Sequence, residues 1–167
     1  REAVDFVIVS IHWGLENTHT PTDEQKYLAQ RIADAGADVI LGHHSHSIQP
    51  IEWIETDRGQ TLCAYSLGNF ISGMARPMNA VGGLLSFHIE GDGEGGLVPA
   101  SVEWIPTVFY YGMNWYGTHL YYLEDYTAEI AATHGTQLSG YTLTPDEARR
   151  MTKNVIDAQF LPDDLLD

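Results

Sequence analysis

The run Gly42-His43-His44-Ser45-His46 places three histidines within four residues, and a fourth stands earlier in Ile11-His12-Trp13-Gly14. Imidazoles at His-x-His spacing can aim at one ion, because alternate residues of an extended segment point the same way. His44 and His46 have that spacing, and His12 offers a third nitrogen if the fold brings it alongside. Three protein ligands with coordination positions left open describe a catalytic rather than a structural metal site, the remaining partners being carboxylates or amides. A lone loop histidine is ordinarily solvated or hydrogen-bonded. What points to metal is the company these residues keep at the ends of two strands. His19, His88, His119 and His134 have no such company and read as ordinary.

Two strands and a helix must position the cluster. Phe6-Val7-Ile8-Val9-Ser10-Ile11 is a β-branched run without alternation, the pattern of a strand covered on both faces. Thr22 with Gln25 three residues on reads as a capping box, and Asp23 and Glu24 fall in the first turn, where the helix dipole favours negative charge. Tyr27, Leu28, Ile32 and Ala35 predict one apolar stripe, and Gly36 a stop. Residues 37–41 read as a second buried strand. Such a β-α-β unit is right-handed with parallel strands. His12 and the run 43–46 then emerge at one sheet edge, beyond the carboxyl ends of the strands, where open α/β sheets bind ligands.

Further strands are predicted over 48–54, 62–66, 83–89 and 97–105, with turns at Asp57-Arg58-Gly59 and across the Gly-rich stretch 91–96, in a more antiparallel arrangement. Past Pro106 the texture turns aromatic, with Phe109-Tyr110-Tyr111, Trp115-Tyr116 and Tyr121-Tyr122, and a helix is expected over 118–133. These rings form either a stacking platform for sugars or peptides, or the cover of a sheet face and of the C-terminal helices. Thr144-Pro145-Asp146-Glu147 starts a last helix with Pro at its first position, running towards Ala158 with Ala148, Met151 and Val155 on one face.

Composition narrows the partners. With 167 residues, 44% apolar and 19% charged, the chain can build one core. Eight basic against twenty-three acidic residues leave a formal charge of −15, and the only lysines are Lys26 and Lys153. Nucleic acid is therefore excluded as a natural partner, since a phosphate backbone needs clustered Lys and Arg. An anionic substrate would have to be held locally, by metal. The lone Cys63 sits in an apolar run, which predicts a buried, inert thiol. No apolar stretch approaches the roughly 20 residues of a membrane span. The chain opens at Arg1, which suggests a piece of something longer.

Taken in order, His12-Trp13-Gly14-Leu15-Glu16, Gly36-Ala37-Asp38-Val39-Ile40-Leu41-Gly42-His43-His44-Ser45-His46 and Tyr65-Ser66-Leu67-Gly68-Asn69-Phe70 resemble the bacterial capsule synthesis family, CapA-like proteins of poly-gamma-glutamate synthesis. That family in turn looks like a branch of the calcineurin-like metallophosphoesterases. The resemblance covers roughly residues 3–106. It implies an α/β fold that is part of a sandwich of two mixed β-sheets flanked by helices. It also implies a site for two divalent metal ions, manganese, zinc or iron, in the complete domain. By its matching blocks, His12 is the metal-binding histidine after its strand, and His44 and His46 are the terminal His-x-His. Ser45 stands where Pro usually separates the two, a change expected to alter loop stiffness more than chemistry. The family's further ligands, an Asp in an early Gly-Asp block and an Asn in an Asn-His block, come before the His-Trp-Gly block and have no counterpart here. Leu67-Gly68-Asn69-Phe70 carries Phe where the latter has His, and it matches the later Ser-Leu-Gly-Asn-Phe block instead. The resemblance is thus to the C-terminal half of a domain, 1–106, followed by an aromatic-rich and helical extension, 107–167.

In a complete site of that kind, paired cations activate water and stabilise charge on an oxyanion. His43 is a candidate to orient a ligand or donate a proton, and Glu16 to support an imidazole or contact substrate. Trp13 and Asn69 are candidates for substrate contact; the alternatives are packing beneath the site for Trp13 and a satisfied turn for Asn69. The implied partners are an anionic polymer or phosphoester, the N-terminal half of the domain, and a second copy of the chain. The resemblance suggests the cell envelope. A different class of reading is a non-catalytic scaffold of a capsule or envelope assembly, and the isolated chain is expected to be inactive as a hydrolase.

Overall fold

The computed structural model describes residues 4–166. Strand β1 (Ile8–His12), helix α1 (Asp23–Asp34) and strand β2 (Val39–His43) form the expected unit, with β1 and β2 parallel and His12 directly opposite His43. The capping box closes as anticipated: the Thr22 hydroxyl accepts from Gln25 N at 3.1 Å, and Gln25 Oε1 accepts from Thr22 N at 3.0 Å. Gly36 leaves the helix at φ +111°. The inward stripe differs from the expected one. Gln25, Ala29 and Ala33 are buried, Leu28 and Ile32 half-buried, and Tyr27 and Ala35 exposed. Small alanines let the helix lie close on the sheet, and Gln25 goes inside because Gln49 Oε1 accepts from its amide at 2.8 Å.

Strand β2 also pairs in parallel with β4 (Gly59–Ala64), which pairs antiparallel with β3 (Ile51–Thr56) across the turn at Asp57 and Arg58, giving the order β1-β2-β4-β3. As the edge strand, β1 is not covered on both faces. Val9 and Ile11 pack towards α1, whereas Ile8, Ser10 and His12 are exposed. β-Branched residues favour a strand wherever it lies, but covering the second face needs a neighbouring layer, and that layer meets β2, β4 and β3 and, just ahead of β1, Phe6, whose ring stacks on Phe87 at 6.4 Å.

The layer is an antiparallel sheet of β5 (Val81–Gly91), β6 (Leu97–Tyr110) and β7 (His119–Tyr122). The helix expected over 118–133 does not form. Residues 119–122 instead pair with β6, Tyr121 opposite Val108, and β7 leads into one tight turn (Leu123–Asp125) and a single helical turn, α3 (Ala128–Ala131), capped by Thr127. Tyr121 and Tyr122 suit a pleated surface better than a helix once a partner strand is offered. Short helix α2 (Pro77–Ala80) leads into β5. Helix α4 (Pro145–Val155) starts with its predicted capping box, and ends short of Ala158 because Ile156 turns extended and buries its side chain. Helix α5 (Asp163–Leu166) closes the described chain.

The fold is a mixed α/β arrangement in which both sheets share one core. Val39, Leu62 and Ala64 from the first meet Val81, Trp104 and Val108 from the second, and Leu143, Ile156 and Phe160 close the cluster. A second, smaller cluster between α1 and the first sheet holds Trp13, Ala29, Ile40 and Cys63. Cys63 is buried as expected, and burial, with Glu52 nearby, pushes its thiol pKa well up. No helix among the described residues is long and apolar enough to cross a membrane.

Candidate functional site

The parallel pairing of β1 with β2 brings His12 and His43 to the same sheet edge, and Trp13 N donates to His43 O at 3.3 Å. Beyond β2 the backbone does not stay extended. It enters the left-handed region at His44 (φ +95°) and again at His46 (φ +55°), so the His-x-His pair is aimed by a strained turn rather than by strand alternation. The His12 and His44 ring centroids lie 4.4 Å apart, and those of His44 and His46 6.3 Å. Each left-handed non-glycine residue costs about 1–2 kcal/mol, so hydrogen bonds must hold this turn. Fully buried Ser45 supplies two of them: its hydroxyl donates to Ser47 O at 2.6 Å, and its carbonyl accepts from Asn17 N at 2.7 Å. The carbonyl bond would be open to any residue, proline included, whereas the hydroxyl bond is specific to Ser45.

Trp13 is buried beneath the cluster, stacked on Tyr65 at 5.9 Å, and its Nε1 donates to Tyr65 O at 2.9 Å. Gly42 makes this approach possible. A Cβ there would stand 1.9 Å from Tyr65 O and 2.5 Å from Trp13 Nε1. Asn69 is also buried. Its Nδ2 donates to Asn79 O at 2.9 Å and to His46 O at 3.3 Å, and its Oδ1 lies 2.8 Å from His46 Nδ1. His43 is half-buried, and desolvation, reinforced by His12, holds its pKa below the usual imidazole value. Glu16 is exposed on the loop after β1, and no hydrogen bond or ion pair ties it to a histidine among the described residues. The structure therefore gathers His12, His43, His44, His46 and Asn69 at one edge and leaves Glu16 outside this set of contacts.

Several supporting residues carry no signal of their own in the sequence. Asn79 Nδ2 donates to His46 O at 2.8 Å and to Asn17 Oδ1 at 3.0 Å. Gln49 Nε2 reaches Thr18 O at 3.1 Å, and His19 Nδ1 lies 2.8 Å from Ile48 O, tying the loop after β1 to the histidine turn. The one hint was Gln49 itself, an amide set between Ile48 and Pro50 directly after the histidines.

As a donor set, neutral imidazoles suit zinc or iron better than a hard cation such as calcium. The closeness of the His12 and His44 rings fits two ligands of one ion. Among the described residues, however, no three His, Cys, Asp or Glu side chains form a group that could hold an ion alone. These imidazoles could supply only part of a coordination shell.

Residues 1–74 match the family model described as "Bacterial capsule synthesis protein PGA_cap", and all three motif blocks fall inside that stretch. The chain is 38% identical over 95 residues to the "PGA biosynthesis protein CapA" of Bacillus subtilis, an alignment covering 57% of this chain and 24% of that protein. It is 35% identical over 101 residues to the "Capsule biosynthesis protein CapA" of Bacillus anthracis, covering 59% and 24%. A probable polyglutamine synthesis accessory protein of Mycobacterium tuberculosis is 34% identical over 86 residues, covering 52% and 20%. The chain thus matches about a quarter or less of the length of these relatives.

Proposed function

We propose that this chain, whose residues 1–74 carry the resemblance to bacterial capsule synthesis proteins, serves capsule or poly-gamma-glutamate synthesis by contributing imidazole ligands to a divalent metal site. The observation that carries the reading is the row His12, His44, His46 at the carboxyl ends of two parallel strands, with the first two rings 4.4 Å apart. In this reading His12, His44 and His46 bind the cation, and donors from a partner segment, the N-terminal half of the domain, complete its shell. A cation held there supplies Lewis acidity towards a phosphoryl or similar oxyanion. The chain's own residues do the positioning. His43 orients a ligand or passes a proton from its place opposite His12. Trp13 supports the turn from below, and Asn69 holds His46.

The substrate class is an anionic polymer or a phosphoester. A formal charge of −15 repels either at long range, so binding depends on the focused positive charge of the cation. A second reading, a non-catalytic scaffold of an envelope assembly, draws support from the lack of a self-sufficient three-donor group among the described residues.

Elemental analysis separates the two. The chain is incubated with zinc, manganese or iron above the ordinary imidazole pKa of about 6.5, where the ligands are neutral, then desalted beside the His44→Ala/His46→Ala double variant. Metal retained by the parent and lost from the variant is the expected result. Metal in neither, with a partner segment supplied as well, gives the scaffold reading first place.

A further inference from the structure

We infer that Asn69 is a positioning residue that holds His46 as the Nδ1–H tautomer and so leaves Nε2 as the ring's only lone pair. The neighbours of the Asn69 amide fix which way it faces. Its Nδ2 lies 2.9 Å from Asn79 O and 3.3 Å from His46 O, both main-chain carbonyls that can only accept. The nitrogen must therefore face them, and Oδ1 must be the atom 2.8 Å from His46 Nδ1. An amide oxygen also only accepts. The proton between the two atoms consequently belongs to His46 Nδ1.

This is the tautomer that a free imidazole in water disfavours, so its selection is work done by the fold. The surroundings show that it is held with effort. His44, His46 and Asn17 all take left-handed backbone, and Asn79, which also fastens His46 O, keeps its buried Oδ1 without a hydrogen-bond partner among the described residues. Buried polar atoms left unpaired and residues in rare conformations persist where surrounding structure over-determines them. Here the over-determined element is the His44–His46 turn. A histidine ligand ordinarily donates its second ring N–H to an acceptor that fixes its orientation, and Asn69 stands in that relation to His46. The consequence for a metal rests on the function proposed above. The tautomer does not, and it is measured on metal-free protein.

The experiment is long-range 1H–15N NMR on the histidine-labelled chain without metal, above the ordinary imidazole pKa of about 6.5. An unprotonated ring nitrogen resonates far downfield of a protonated one, which identifies the tautomer directly. His46 is expected to show a protonated Nδ1 and a bare Nε2. Asn69→Asp keeps an acceptor oxygen towards His46 but sets its other oxygen against the Asn79 and His46 carbonyls, so with the fold intact it is expected to keep Nδ1 protonated, and Asn69→Leu to shift His46 towards Nε2–H. His134 is the internal control. Its Nδ1 accepts from Thr136 N at 3.0 Å and its Nε2 lies 3.0 Å from Phe109 O, so it must show the opposite tautomer, and an unmoved His134 signal reports an intact fold. Should either variant fail to fold, the parent spectrum still decides. A parent His46 protonated at Nε2, or an Asn69→Leu spectrum identical to the parent with the fold intact, overturns the inference. Zinc added to the same parent sample is expected to move His46 Nε2. If zinc moves no histidine nitrogen even with the partner segment supplied, while the tautomer is as stated, the metal reading falls and Asn69 keeps its positioning role.

Discussion

Gly42 is the sharpest place to test the packing beneath the histidine turn. Replacing it with alanine would ordinarily favour a strand by about 0.5–1 kcal/mol through lower backbone entropy in the unfolded chain. Here the added Cβ would stand 1.9 Å from Tyr65 O, well over an ångström inside ordinary contact, and 2.5 Å from Trp13 Nε1. The obstructing carbonyl is main chain and cannot rotate away. The strand end must move, although Gly42 O also accepts from Leu67 N at 3.3 Å. Overpacking of this kind costs about 1–3 kcal/mol, and separating Trp13 Nε1 from Tyr65 O leaves buried partners unpaired at a further ~1–3 kcal/mol. The net loss is then about 3 kcal/mol, and for a chain of this size each kcal/mol lowers Tm by roughly 2–4 °C. Urea unfolding followed by circular dichroism and tryptophan fluorescence measures it, with Gly91→Ala as the control. Gly91, the last residue of β5, meets nothing nearer than Gly96 O at 4.0 Å, so that change should be neutral or stabilise by up to about 1 kcal/mol. A loss at Gly42 below about 1 kcal/mol, or equal losses at both sites, would refute the steric account.

Two buried groups make further tests. His134 is fully buried with both ring nitrogens hydrogen-bonded, and burial holds its pKa below the usual value. The unfolded chain then takes up the proton first, so its contribution to stability is intact above the ordinary imidazole pKa of about 6.5 and is lost as pH falls through the lowered native value. Denaturation midpoints against pH should show that fall. His134→Phe should flatten part of it, leave the share contributed by His43, and cost about 1–3 kcal/mol at neutral pH through its orphaned partners. Cys63, buried between α1 and the first sheet with its pKa raised, should resist a thiol reagent in native protein and react fully in denaturant; rapid native labelling would contradict the packing of that cluster.

Local features were legible wherever chemistry acts over a few residues. The capping boxes at Thr22 and Thr144, the stop at Gly36, the parallel β-α-β unit and the burial of Cys63 all arise from nearest-neighbour sterics and hydrogen bonding, and they place His12 opposite His43 without further help. Legibility failed where a distant partner decides. Residues 118–133 contain short helical turns, but β6 offers His119-Leu120-Tyr121-Tyr122 a ladder of hydrogen bonds that an isolated helix cannot match. Likewise β1 has the composition of a central strand and the position of an edge.

The candidate site divides in the same way. His12, His43, His44 and His46, their company and the strand ends that carry them are properties of the chain's own order, because strand length and crossover handedness are local rules. Only the tertiary structure decided that the His-x-His pair is aimed by a left-handed turn, and that Asn69 turns inward to His46. It alone recruited Asn17 and Asn79 to hold that turn. Those contacts join residues far apart in sequence, and a buried amide declares its role only when the fold shows which donors and acceptors it must satisfy.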